Sequence, residues 1–153
     1  MSNDVYLGNP LLKKANTPIE FTQEQILEFV KCKDDPVYFA NNYVKIVTLD
    51  HGLQTFKPYH FQEKLINNFH NHRFNICKMP RQTGKSTTVV SFLLHYAVFN
   101  DNVNIGILAN KAATARELLD RLQTAYENLP KWMQQGIIDR KSTRLNSSHV
   151  SES

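Results

Sequence analysis

The sequence predicts an α/β chain: a parallel sheet flanked by helices, incomplete within this length and preceded by a small helical segment. Three observations predict it. An apolar run at 74–78 passes through Met79-Pro80-Arg81-Gln82-Thr83-Gly84-Lys85-Ser86 into an apolar stretch at helical spacing over 87–99. A second apolar run at 103–109, with Val103, Ile105, Ile107 and Leu108, follows an Asp101-Asn102 turn and leads into another helical pattern. Strand, loop, helix, strand and helix in that order is the grammar of parallel strands joined by crossover helices.

The elements follow in order. Residues 1–18 contain Gly8, Asn9, Pro10, Asn16 and Pro18 and read as an extended lead-in. Residues 19–58 read as a helical segment. Its first helix starts at Thr22, where Thr22-Gln23-Glu24-Gln25 makes a capping box, with Ile26, Leu27, Phe29 and Val30 as the apolar face. Asp34-Asp35-Pro36 ends it and opens a second helix, Asp35 capping and Pro36 in the first turn, with Val37, Phe39, Ala40 and Tyr43 buried. A short strand is expected at 44–49 and a turn at Asp50-His51-Gly52. Residues 59–138 read as the start of a larger domain. It opens on a helix at 59–69 whose inward residues are Phe61, Leu65, Ile66 and Phe69. The last helix, 112–128, carries a stripe of Leu118, Leu119, Leu122 and Tyr126 and stops before Pro130.

The segment 79–86 has the residue types of a phosphate-binding loop. Gly84 lets the backbone turn tightly and bring N–H groups against phosphate oxygens. Lys85 offers an ammonium to the β- and γ-phosphates, and Ser86 a hydroxyl to Mg²⁺. The following helix presents its N-terminal N–H groups to the same anion. The pattern departs from G-x-x-x-x-G-K-[ST], since Met79 stands at the first Gly and Pro80 removes a backbone donor. Gly-Lys-Ser alone also occurs in surface turns, so the strand before it and the helix after it carry the assignment. Together they predict the P-loop NTPase fold class, with ATP and Mg²⁺ as ligands.

Composition sets bounds. The chain has 153 residues, 18 basic and 14 acidic. Its last stretch, Asp139-Arg140-Lys141-Ser142-Thr143-Arg144-Leu145-Asn146-Ser147-Ser148-His149, looks like the in-frame translation of a sequencing adapter. The other reading is a natural polar C-terminus. Residues 139–153 are therefore set aside, and the coding sequence is expected to continue past Ile138. Without them the balance is 15 basic to 12 acidic, too small by itself to argue for DNA binding. No apolar run is long enough to span a membrane, and the N-terminus lacks the blocks of a secretory signal. Cys32 and Cys77 read as reduced, buried thiols of an intracellular protein, and the six histidines show no metal-ligand spacing.

Several stretches together resemble the large subunit of tailed-bacteriophage terminases, myovirus type, the ATP-driven motors that package DNA into procapsids. They are Lys33-Asp34-Asp35-Pro36-Val37-Tyr38-Phe39-Ala40, Phe61-Gln62, Arg81-Gln82-Thr83-Gly84-Lys85-Ser86, Gly106-Ile107-Leu108-Ala109, Glu117-Leu118-Leu119-Asp120-Arg121 and Leu129-Pro130. They run in the family's order from about residue 6 to 138, within the N-terminal part of its ATPase domain. Arg-Gln-x-Gly-Lys-[ST] is that family's own loop variant. The resemblance implies that Lys85 and Ser86 bind nucleotide phosphates and Mg²⁺, and that Arg81 is a cis-acting arginine stabilising charge on the transferring phosphoryl group. A guanidinium beside the γ-phosphate suits that role chemically, while a structural ion pair is the other reading of Arg81. Gln62 matches the family's adenine-recognition motif; its amide donates and accepts at once. Phe61 is either a stacking partner of the nucleotide or plain core. Gln82, Thr83 and Gly84 would line the phosphates, and Thr87 either joins them or merely caps the helix.

The resemblance further implies double-stranded DNA, a terminase small subunit and the procapsid portal as partners, self-association into a ring, and a site of action in the host cytoplasm. The acidic strand that completes an Mg²⁺ site, the Glu that orients water and the endonuclease domain would all lie downstream of Ile138. Residues 1–138 are therefore expected to bind nucleotide weakly and not to hydrolyse it. Two alternatives stand beside this reading. One is a helicase-like P-loop ATPase acting on nucleic acid, since an upstream adenine-reading Gln occurs there too. The other is a short, non-enzymatic nucleotide-binding module.

Overall fold

A computed structural model of the protein describes residues 5–6 and 8–134; the stretch 139–153, assigned above to an adapter, lies outside the described residues. The chain begins with an antiparallel pair, β1 (Val5–Tyr6) and β2 (Asn9–Lys13), turning through Gly8 at φ +74°. The extended lead-in is thus a hairpin, and Leu12 at its end is fully buried. Next come α1 (Gln23–Asp34) and α2 (Pro36–Tyr43). Thr22 caps α1 in a full capping box: its Oγ1 accepts from Gln25 N–H at 3.2 Å, and its own N–H donates to Gln25 Oε1 at 3.1 Å. Asp35 Oδ1 accepts from Val37 and Tyr38 N–H, both at 2.9 Å, and so opens α2 at Pro36. Glu28 ties the two helices together, accepting from the hydroxyls of Tyr38 (2.6 Å) and Tyr43 (3.0 Å).

A second antiparallel pair follows, β3 (Lys45–Thr48) with β4 (Gly52–Thr55), in register from Lys45↔Thr55 to Thr48↔Gly52. Then come α3 (His60–Asn71), α4 (Lys85–Phe99), α5 (Ala112–Glu127) and a 3-10 turn at Lys131–Met133. The core sits where α2, α3 and α5 pack on α4. Phe39, Ile66, Leu94, Val98 and Met133 are all at most 1% exposed there. Phe39 meets Phe99 edge-on at 5.4 Å, and Phe29 meets Phe99 at 4.9 Å, an arrangement favoured by the ring quadrupoles.

The predicted fold class is corrected here. Among the described residues the sheets are two small antiparallel pairs, β1–β2 and β3–β4; the parallel sheet of a P-loop NTPase is not formed. Residues 74–79 and 103–109 carry no ladder, and Phe74, Ile76 and Leu108 project into solvent. A run of apolar, β-favouring residues specifies extended backbone, but a parallel strand exists only when neighbours accept and donate its slanted hydrogen bonds. Neither run meets such a neighbour. Three smaller corrections follow from the same packing. Cys77, on the first of these runs, is exposed, whereas Cys32 is buried. Ile26, Leu27 and Val30 are exposed, because α1 turns Phe29 and Cys32 to the core instead. Phe61, expected inside, is also exposed.

A candidate phosphate-binding loop at the start of α4

The loop gets its shape from two left-handed residues. Gln82 lies at φ +61° and Gly84 at φ +71°, on either side of Thr83. Alternation of left-handed residues with ordinary ones turns successive peptide N–H groups toward one side and makes an anion-binding concavity. Gly84 is the N-cap of α4, which therefore begins at Lys85. The first N–H groups of a helix have no carbonyl acceptor within it, and they carry the positive end of the helix dipole. Side chains brace the turn: Thr83 Oγ1 donates to Pro80 O at 3.0 Å and Thr88 Oγ1 to Gly84 O at 2.9 Å.

Lys85 is half-buried, and its Nζ folds back over the loop to donate to Met79 O at 3.0 Å. The ammonium thus ties the first turn of α4 to the start of the loop. Ser86 is exposed in the first turn of α4, and Thr87 is half-buried beside it. Thr88, not singled out in the sequence, makes the hydrogen bond back to Gly84 O. Arg81 is exposed and makes no ion pair with a carboxylate among the described residues. Arg81, Gln82, Thr83, Gly84, Lys85, Ser86 and Thr87 therefore fall on one continuous turn.

Gln62 reaches this loop from another element. It lies in the first turn of α3 and is 3% exposed. Its Nε2 donates to Thr83 O at 3.3 Å, and its Oε1 accepts from Tyr59 N–H at 2.8 Å. Tyr59 has no side-chain cap of its own, so Gln62 supplies the return half of a capping box. A Cβ on Gly84 would strike Gln62 Nε2, so a side chain at 84 would have to displace that amide as well as adopt a strained φ. Phe61 stacks on Tyr59, ring centroids 5.9 Å apart and planes 10° from parallel, and both rings are exposed.

The donor set fits the group that the sequence implies. Peptide N–H groups, the Lys85 ammonium and the Ser86 hydroxyl lie on adjacent residues, with no carboxylate in 79–87, which suits a polyphosphate with its divalent cation. Among the described residues no cluster of three or more His, Cys, Asp or Glu side chains is placed to hold a metal ion. A cation here would thus be held by Ser86 and by the phosphates themselves. No family model matches the chain.

Proposed function

We propose that this chain binds the phosphates of ATP with Mg²⁺ at residues 79–87, as the nucleotide-binding part of a terminase-type DNA-packaging ATPase. The observation that carries the binding reading is the closure of the loop: Gly84 in the left-handed region, α4 starting at Lys85, and Lys85 Nζ on Met79 O at 3.0 Å. An ammonium resting on a backbone carbonyl exchanges a neutral acceptor for an anionic one when phosphate arrives, and charge-assisted hydrogen bonds are about twice as strong as neutral ones. Lys85 would hold the phosphates, Ser86 the cation, and Arg81, which makes no ion pair among the described residues, would meet charge on the transferring group. When bound, Mg²⁺ would neutralise phosphate charge and orient the phosphoryl oxygens. The packaging role, with double-stranded DNA, a small subunit, a portal and ring assembly as partners, rests on the resemblance of the motifs quoted above.

The test is equilibrium binding of Mg²⁺–ATP to the purified chain and to its Lys85→Ala and Ser86→Ala variants. Loss of the ammonium should weaken binding by roughly tenfold or more, since a hydrogen bond to a charged group is worth about 1.5–3 kcal/mol. Loss of the hydroxyl should reduce the Mg²⁺ dependence of binding. Equal affinity in wild type and Lys85→Ala would remove the basis of the reading. Turnover is a separate outcome: ATP should be bound and recovered intact, and Lys85-dependent release of phosphate would show that the chain already holds a complete catalytic set.

A further inference from the structure

The primary amide of Gln62 has a donor end and an acceptor end, and each makes one hydrogen bond inside the protein. Oε1 faces Tyr59 N–H, which can only donate, while Nε2 faces Thr83 O, which can only accept. Rotating the amide by half a turn would set N–H against N–H and oxygen against oxygen, so its orientation is fixed from both sides. At 3% exposure the side chain is almost wholly buried against that backbone. The same Nε2 occupies the space that a side chain at residue 84 would need. Hydrogen bonding, burial and shape therefore all direct Gln62 at the backbone of Thr83–Gly84, immediately before Lys85.

We propose that Gln62 is a positioning residue for the phosphate loop, holding Thr83 and Gly84 in their anion-ready conformation, and that it selects for a polyphosphate irrespective of the base attached. The proposal rests on the reading that residues 79–87 bind nucleotide phosphates. Gln82 and Gly84 are both at positive φ, and such a turn keeps its shape only where its surroundings over-determine it. The bond from Nε2 to Thr83 O, between the two left-handed residues, supplies that restraint. Because Gln62 also caps α3 through Tyr59 N–H, the loop and the N-terminus of α3 are held as one unit.

The experiment is calorimetric titration of the full chain with Mg²⁺ and, in turn, inorganic tripolyphosphate, ATP and GTP. Wild type, Gln62→Ala, Gln62→Met, Gly84→Ala and the doubles Gln62→Ala/Gly84→Ala and Gln62→Met/Gly84→Ala are compared, with far-UV circular dichroism confirming helix content. Gln62→Met keeps the bulk and loses both hydrogen bonds. It should weaken all three ligands by one common factor, roughly three- to tenfold. Gly84→Ala should be severe alone, partly relieved when Gln62→Ala removes the obstructing amide, and not relieved by Gln62→Met. That pattern of relief is local to the Gln62–Gly84 contact, and a general loss of fold would not produce it. A Gln62→Met that weakens ATP while sparing tripolyphosphate would overturn the proposal and make Gln62 a base reader. Unchanged affinities in Gln62→Met would also overturn it. Wild type binding none of the three ligands would instead overturn the phosphate-site reading itself.

Discussion

Gln82 holds a left-handed backbone at φ +61°, and a residue with a Cβ pays about 1–2 kcal/mol for that conformation where glycine does not. Its side chain is exposed, so substitution loses no packing. Gln82→Gly should therefore raise stability to urea by about 1 kcal/mol, unless the added freedom of glycine in the unfolded chain cancels the relief; a lowered midpoint would show that the strain is absent. His95 makes a different residue-scale case. It is 3% exposed on α4, lies edge-on to Phe39 at 5.5 Å, and its Nε2–H donates to Cys32 O at 2.9 Å. Burial holds its pKa below the usual histidine value, against the carbonyl hydrogen bond that favours the charged ring; His70 also lowers it, while Lys33 backbone and Asp35 raise it. With the folded pKa below the unfolded one, the unfolded chain binds more protons in the window between them. Stability from His95 is thus fully present above about pH 6.5 and is lost as pH falls toward the folded value. Urea midpoints measured from pH 7.5 to 5 should fall with acid, and the slope should shrink in His95→Gln; parallel profiles would contradict the assignment. Burial likewise pushes the Cys32 thiol up to about 12, which leaves it an inert core group.

At the scale of elements, the helices and the short strand expected at 44–49 were legible, the latter as β3, and the parallel sheet was not. A helix closes its hydrogen bonds within itself, so its caps and its period are written in adjacent residues. Thr22 with Gln25, and Asp35 before Pro36, mark the starts of α1 and α2 in sequence and structure alike. Loss of a capping oxygen costs about 1 kcal/mol, and Asp35 satisfies two N–H groups where Thr22 satisfies one. Asp35→Ala should therefore lower stability more than Thr22→Ala, by about 1–2 against about 0.5–1 kcal/mol in chemical unfolding. Equal costs would mean that one of the two bonds to Asp35 is energetically idle. A strand depends on a partner that its own residues do not name. The turn at Gly52 is legible, whereas β4 is not, because Gln54 and Thr55 become a strand only when the fold sets Ile46 and Lys45 opposite them. Residues 103–109 show the converse: Val103, Ile105 and Ile107 are half-buried and alternate with exposed neighbours, a strand's rhythm without a ladder. The candidate site divides in the same way. Gly84, Lys85 and Ser86 were readable as a contiguous string, whereas the contact of Gln62 with Thr83 spans 21 positions and needed the fold.

Among the described residues, the first hairpin and the segment after α5 are joined by one side chain that no local pattern marks. Gln134 is 2% exposed and follows the 3-10 turn after α5. Its Nε2 donates to Leu11 O at 2.9 Å, Leu129 O at 3.2 Å and Tyr126 O at 3.3 Å, while its Oε1 accepts from Lys13 N–H at 2.9 Å. The amide thus inserts between β2 and the end of α5 and stands in for a strand, pairing with the backbone of Leu11 and Lys13. Beside it Leu12 is fully buried, so the hydrogen bonds and the apolar contact fasten the hairpin together. Gln134→Leu would keep the volume but take their Gln134 partner from Leu11 O, Leu129 O and Lys13 N–H, at about 1–3 kcal/mol for each group that water does not reach. The expected result is a loss of about 2–4 kcal/mol in global stability. Detachment of the hairpin should outrun that loss: amide exchange at Lys13, and proteolysis between β2 and α1, should accelerate before the α4 core exchanges. Uniform acceleration across α4 and the hairpin would mean instead that the N-terminal hairpin belongs to the same cooperative unit as the helical core. In that case Gln134 is a member of the core itself, and the hairpin cannot be released without unfolding α4.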